Sequence, residues 1–227
     1  MATTHTAPTV TRRGPEHGKE AAQVLSGAFS KSAFTSWLMR TPQSTWTDEI
    51  PADVLDNWFN KSVPERVGHG AELVEAGNWA AVAIWFPPGV NMPSNGPISP
   101  QLKEFREIFG AEKKRHLQGE KYWYLNIIGR HPERTEKGVI RALIDPYLKR
   151  AQQEGVPVWL EAITDHGRKV YEHLGFRTVV ERRIGVGKAN TKGEYEENGE
   201  GLMVYGMMVD APASLWKRVY NYLVSWL

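Results

Sequence analysis

The sequence predicts an α/β (α+β) fold, and three observations predict it. In the second half of the chain, apolar runs of strand length alternate with stretches of helical period, in the order strand, helix, strand, helix, strand, strand. Glycines sit where those helices should stop, at Gly155 and Gly175, because a residue without Cβ closes a helix at no steric cost. At 227 residues and 41% hydrophobic content, the chain can bury a core large enough for one sizeable unit.

The elements follow in order. Residues 1–8 (MATTHTAP) read as a flexible tail and residues 9–227 as a single domain. "TVTRR" suits a first strand, and "PEHGKEAAQVLSGAFSKS" a helix with Pro15 and Glu16 in its first turn. The Trp-rich stretch 34–63 reads as short helices interrupted by Pro42 and Pro51. "AELVEAGNWAAVAIWFPPG" is a hairpin turning through Gly77 and Asn78. "SPQLKEFREIFGAEKKRHL" is an exposed amphipathic helix capped by Ser99, with its "EKKRH" (Glu112 to His116) a solvated face. Then come the strand "YWYLNII", the helix "TEKGVIRALIDPYLKRAQQEG", the strand "VPVWLEA", the helix "DHGRKVYEHLG", and the strands "FRTVVERRIGV" and "GLMVYGMMVD". The polar stretch 187–201 between the last two reads as a mobile hairpin loop. The closing "SLWKRVYNYLVSWL" has the pattern of an amphipathic helix, with packing onto the body, a homodimer contact and a membrane-surface contact all open.

Charge and cysteine usage exclude several functions. Twenty-eight Lys and Arg against 26 Asp and Glu give a net charge of +2, too small a field to gather nucleic acid. No cysteine is present, which removes disulfides, zinc–thiolate sites and a cysteine nucleophile, and no metal centre is expected. With no signal peptide or long apolar run, no membrane span is expected and a cytoplasmic location is the default.

The words "YLNIIGRHPE" entering "KGVIRALI", "GVPVWLEA" and "VYEHLGF", spanning about residues 122–176 in this order, resemble the GNAT superfamily of acetyltransferases, and its fungal-type members in particular. The resemblance implies a central mixed, largely antiparallel sheet flanked by helices, whose middle strands splay to admit acetyl-CoA. It implies a small-molecule substrate, N- or O-acetylated by direct transfer. The family's pyrophosphate motif is Gln or Arg, two residues, Gly, one residue, then Gly or Ala. Thr135, Glu136, Lys137, Gly138, Val139 and Ile140 stand there, and only Gly138 matches. Glu136 sets a carboxylate and Ile140 a branched side chain where the family keeps room for phosphate, so a second reading stays open: a GNAT scaffold that has lost CoA. Such a scaffold would serve binding, or acid/base cyclisation or isomerisation in natural-product biosynthesis (secondary metabolism).

The resemblance also assigns residues. Backbone amides at Ile127 and Ile128 would hold the thioester oxygen, and Thr135, Lys137, Gly138 and Val139 the diphosphate. Tyr171 stands where the departing thiolate takes a proton. Glu161 is a candidate general base, since an attacking ammonium must first lose a proton, and Asn126 a positioner of substrate or water. Trp37, Trp58, Trp85 and Trp123 are candidates for an aromatic acceptor pocket. His131, just before Pro132, reads as solvent-facing.

Overall fold

The structure is a computed structural model that describes residues 8–92 and 98–212. The expected tail at 1–8, all but Pro8, and the closing amphipathic segment from 213 lie outside the described residues. Seven strands form one sheet in the order β1-β2-β3-β4-β5-β7-β6. They are β1 (Val10–Arg13), β2 (Glu72–Ala76), β3 (Ala81–Phe86), β4 (Trp123–Arg130), β5 (Val158–Ala162), β6 (Arg177–Ile184) and β7 (Leu202–Val209). Every neighbouring pair is antiparallel except β4 with β5. That parallel pair lasts three residues, ending at Leu125 opposite Leu160. Beyond it β4 continues alone to Arg130, so the sheet splits in the middle and leaves one edge of β4 unpaired.

A bulge sharpens the split. Leu125 pairs with Trp85 and Ile127 with Ile84, so Asn126 is the extra residue in β4. The insertion breaks the alternation of faces: Tyr124 and Ile127 join the core on one side, Leu125 and Ile128 the core on the other.

Helices cover both faces. On the first lie α1 (Gly18–Phe29), α2 (Ala33–Met39), α3 (Ala52–Gly68) and α4 (Pro100–Leu117), whose Leu25, Leu55, Phe59 and Phe109 pack with Leu73, Ile84, Phe86 and Trp159. On the second lie α5 (Val139–Glu154) and α6 (Asp165–His173), with Leu143, Ile144 and Tyr147 against Trp85, Trp123 and Leu160. Gly129 lets α1 lie directly on β4, since a Cβ there would stand 2.8 Å from that of Ala28. Ser99 caps α4 as expected, accepting from Leu102 N at 3.2 Å.

Three sequence expectations are corrected. α5 starts at Val139, four residues later than its apolar pattern suggests, because Gly138 adopts φ +81° and interrupts helical geometry. Glu136 therefore belongs to the preceding loop and not to a first helical turn. The 187–201 stretch is packed, not free: Gly193 O accepts from Arg40 Nε at 3.0 Å, and the Tyr195 ring meets Trp37 edge-on at 5.3 Å. Finally, the "EKKRH" face of α4 is not simply solvated, since Glu112 is buried and Lys113 turns inward.

Candidate active site

A polar network fills the split on the α3/α4 face, and β4 and β5 supply its middle. Tyr124 Oη donates to Glu161 Oε2 at 2.7 Å, and Trp159 Nε1 donates to Oε1 at 2.7 Å. Lys113 Nζ lies 3.0 Å from the same Oε1 and 3.8 Å from the centre of the Tyr124 ring. Only 4% of the Glu161 side chain is exposed, so its charge is held by one ammonium and two neutral donors rather than by water. Burial first, and then the facing carboxylate, push the Tyr124 phenol well above its ordinary pKa, which keeps the proton on the oxygen that donates.

Asn126 continues the chain of contacts. Its Nδ2 lies 3.3 Å from Tyr124 Oη and 3.4 Å from Met92 Sδ, and its Oδ1 accepts from Arg66 Nε at 2.9 Å. Arg66, on α3, also donates Nη1 to Ser62 O at 2.9 Å, and its guanidinium carbon stands 5.1 Å from the centre of the Trp58 ring. Burial lowers the Arg66 pKa to about 10. Glu161 and Asn126 are thus linked through Tyr124. Arg66, Lys113, Tyr124 and Trp159 complete the cluster without having been singled out.

Tyr171 is elsewhere. It belongs to α6 on the opposite face, its ring 5.9 Å from Phe176, and its hydroxyl has no hydrogen-bond partner among the described residues. Burial raises its pKa, so the phenol is neutral.

The tryptophans are dispersed. Of the four expected in the pocket, Trp58 alone stands beside the network. Trp37 is enclosed under the 187–201 loop, while Trp85 and Trp123 lie on the α5 face, Trp85 stacked on Tyr147 at 4.4 Å and Trp123 donating to Glu154 at 2.7 Å. Trp37, Trp85 and Trp123 are each no more than 1% exposed, so the expected four-tryptophan pocket is corrected to Trp58.

The loop before α5 carries the expected phosphate positions. Thr135, Lys137 and Gly138 are exposed, whereas Val139 is buried and offers only its backbone. No side chain caps α5, so its first amides keep the partial positive charge of a free helix start. Glu136 is not a lone carboxylate: Arg134 donates to its Oε1 through Nε and Nη2, and that contact holds the Glu136 pKa down. Arg134 also reaches Gly77 O at 2.9 Å and Asn78 O at 3.1 Å, tying the loop to the β2–β3 turn. Beside the helix start an open groove of about 420 Å³ runs between α5 and α6, lined by Ile140, Arg141, His166, Lys169, His173 and Leu174. His131 is half-buried, its Nδ1 3.2 Å from Glu133 N. Among the described residues no group of acidic and histidine side chains is placed to hold a metal, and no helix is long and apolar enough to cross a membrane.

Comparison with known proteins agrees with this geometry. The family model described as the YOR012W acetyl transferase domain matches residues 17–91. The uncharacterised protein YDR391C of Saccharomyces cerevisiae is 29% identical over 203 residues, 84% of this chain and 82% of its own. The uncharacterised N-acetyltransferase C550.08 of Schizosaccharomyces pombe is 28% identical over 177 residues, 70% of each chain. Among solved structures, the C-terminal condensation domain of Ebony in complex with beta-alanyl-dopamine has a TM-score of 0.67 at 11% identity, covering 90% of this chain and 99% of that one. The histone acetyltransferase HPA2 and related acetyltransferase of Corynebacterium glutamicum has 0.62 at 16%, covering 92% and 99%. The chain shares the fold of these solved structures: a mostly antiparallel seven-stranded sheet flanked by helices.

Proposed function

We propose that the protein is an acetyl-CoA-dependent acyltransferase that acetylates a nitrogen or oxygen of a small molecule by direct transfer. One observation carries the reading: the split between β4 and β5 has a polar network on one face of the sheet and, on the other, an uncapped helix start beside a groove lined by Arg141 and Lys169. The residues present fit the cofactor. Backbone amides at the start of α5, with Gly138 in its left-handed turn, suit a diphosphate, and Lys137, Arg141 and Lys169 add positive charge. The pairing of Glu136 with Arg134 removes most of the repulsion that a free carboxylate would exert. When bound, acetyl-CoA would supply an activated acyl group.

The chain's own residues have separable roles in this reading. The unpaired edge of β4 past Leu125 offers backbone amides, at Ile127 and Ile128 in particular, to a carbonyl oxygen in the gap. Tyr171, neutral and without a partner, holds a proton for a leaving group. Asn126 orients the acceptor or a water. Glu161 is engaged by three donors, so it acts as a positioning residue for Tyr124 and Lys113 rather than as a free base.

Thermal melting with acetyl-CoA tests the proposal. At ~100 times its dissociation constant the cofactor stabilises the fold by ~2.7 kcal/mol. An unchanged melting temperature at millimolar acetyl-CoA would refute it. A second reading, a GNAT scaffold used for binding or acid/base chemistry without CoA, then takes its place. Ile140 lining the groove beside the helix start supports it, as does the fold's likeness to a domain described as a condensation domain.

A further inference from the structure

Arg66 is a buried cation without an anion. It is 8% exposed, yet no carboxylate oxygen lies within 4.0 Å of its guanidinium among the described residues. Its Nε and Nη1 bond to neutral oxygens, of Asn126 and Ser62. Among the described residues Nη2 has no acceptor, and it is not one of the fully enclosed atoms. Every Asp and Glu of the chain is among the described residues, so no other acidic side chain can serve.

The surroundings add to the imbalance. Arg106, on α4, has neither an ion pair nor a hydrogen bond among the described residues, and its charge is close enough to oppose that of Arg66. Lys113 is one face-repeat further along the same helix, seven residues on, and is neutralised by Glu161. Glu65, the neighbour of Arg66 on α3, is the one carboxylate whose field supports it, and it makes no contact. Arg66 thus stands at the bulge of β4, beside the flat face of Trp58, with no counter-ion among the described residues, and Arg106 adds a second positive charge nearby. A buried charge left so is costly unless something else completes it.

We propose that Arg66, with Arg106 behind it, receives a carboxylate of the acceptor, and that the acceptor is a small amino-acid-like molecule rather than a simple amine or a polyamine. The inference rests on the acyltransferase reading for the word acceptor, but not for the carboxylate. A planar guanidinium with a free Nη2 matches a carboxylate in shape and charge, and the Trp58 ring offers an apolar wall to the carbon chain. An ammonium or polyamine would meet Arg66 and Arg106 head-on, with only an already engaged Glu161 to hold it.

The test compares two probes of nearly the same shape, 3-phenylpropionate and 3-phenylpropanamide, titrated by NMR without acetyl-CoA. The wild-type protein is expected to bind the carboxylate ~10-fold or more tightly than the amide. Arg66→Met, checked for folding by thermal melting, should reduce that preference to within ~2-fold, and Arg106→Met should weaken it by ~3-fold. Where Arg66→Met does not fold, Arg66→Lys, which keeps the charge and loses the fork, is expected to retain a smaller preference, and Arg106→Met still decides. No preference in the wild type, no binding of either probe, or a preference unchanged by the folded variants overturns the inference. Carboxylate preference in a protein that binds no acetyl-CoA leaves it standing and removes acyl transfer; acetyl-CoA binding without that preference does the reverse.

Discussion

Replacing Lys113 by Met keeps most of the side chain's length and removes its charge. Glu161, 4% exposed, would then keep only the neutral donors Tyr124 and Trp159. Breaking a buried pair by deleting one partner typically costs ~3–5 kcal/mol. The Lys113 side chain is 18% exposed and Glu161 retains two hydrogen bonds, which argues for a cost below that range, about 2–3 kcal/mol with the lost contact to the Tyr124 ring included. In a chain of this size such a loss lowers the melting temperature by about 5–10 °C. The sharper measurement is a double-mutant cycle by urea unfolding at pH 7. Glu161→Gln removes the need for the ammonium, so Lys113→Met in that background should cost far less, giving a coupling of ~1.5–3 kcal/mol. Effects that add to within ~0.5 kcal/mol would show Lys113 to be the solvated helix-face residue that its sequence context suggests, and the network's charge balance would have to be rewritten.

Other perturbations separate the remaining roles. Tyr171→Phe keeps the ring against Phe176 and deletes only the hydroxyl, so turnover should fall ~100-fold with the melting temperature nearly unchanged; an equal rate returns Tyr171 to packing alone. Arg134→Ala releases Glu136 from its partner, so acetyl-CoA affinity by calorimetry should drop ~3–10-fold, whereas unchanged affinity would mean that Glu136 does not face the phosphates. Ile140→Gly, by removing a side chain from the groove mouth, should raise acetyl-CoA affinity at a helix cost of ~1 kcal/mol; a fall in affinity would show Ile140 to be part of the binding wall.

The second half of the fold was legible because its signals are local. Each strand from "YWYLNII" onward lies where the pattern puts it, as does each helix closed by glycine apart from the late start of α5, and Ser99 caps α4 through the hydrogen bond its position implies. The site was only partly legible, because direction is not local. The bulge at Asn126 reassigns the faces of β4 and depends on how many residues of β3 oppose it, which no single run of residues records. Lys113 sits in a run of charges that looks solvated, and only its helical phase relative to Phe109 and Leu117 hints that it turns inward. Arg66 offered no pattern at all. The tryptophans misled for the opposite reason: their size marks them for burial, but size does not say on which face of the sheet.

Net charge shows the same gap between composition and site. A balance of +2 discourages the idea of a broad field for polyanions, yet it averages over pairs that cancel locally and others that do not. Glu72 takes both Arg12 and Arg150, and Glu112 takes Arg182, so acidic residues are spent at the sheet's edge and on α4's outer flank. Positive charge also stands in two places near the split: Arg66 and Arg106 on one face, and Lys169 with Arg141, itself paired with Asp145, in the groove beside the start of α5. The two sites lie on opposite faces and share the gap between β4 and β5. An enzyme that brings an anionic cofactor in from one face and a carboxylate-bearing acceptor from the other needs positive charge at both entrances and very little between them. The centre of the split meets that condition, since its one carboxylate is matched by its one ammonium.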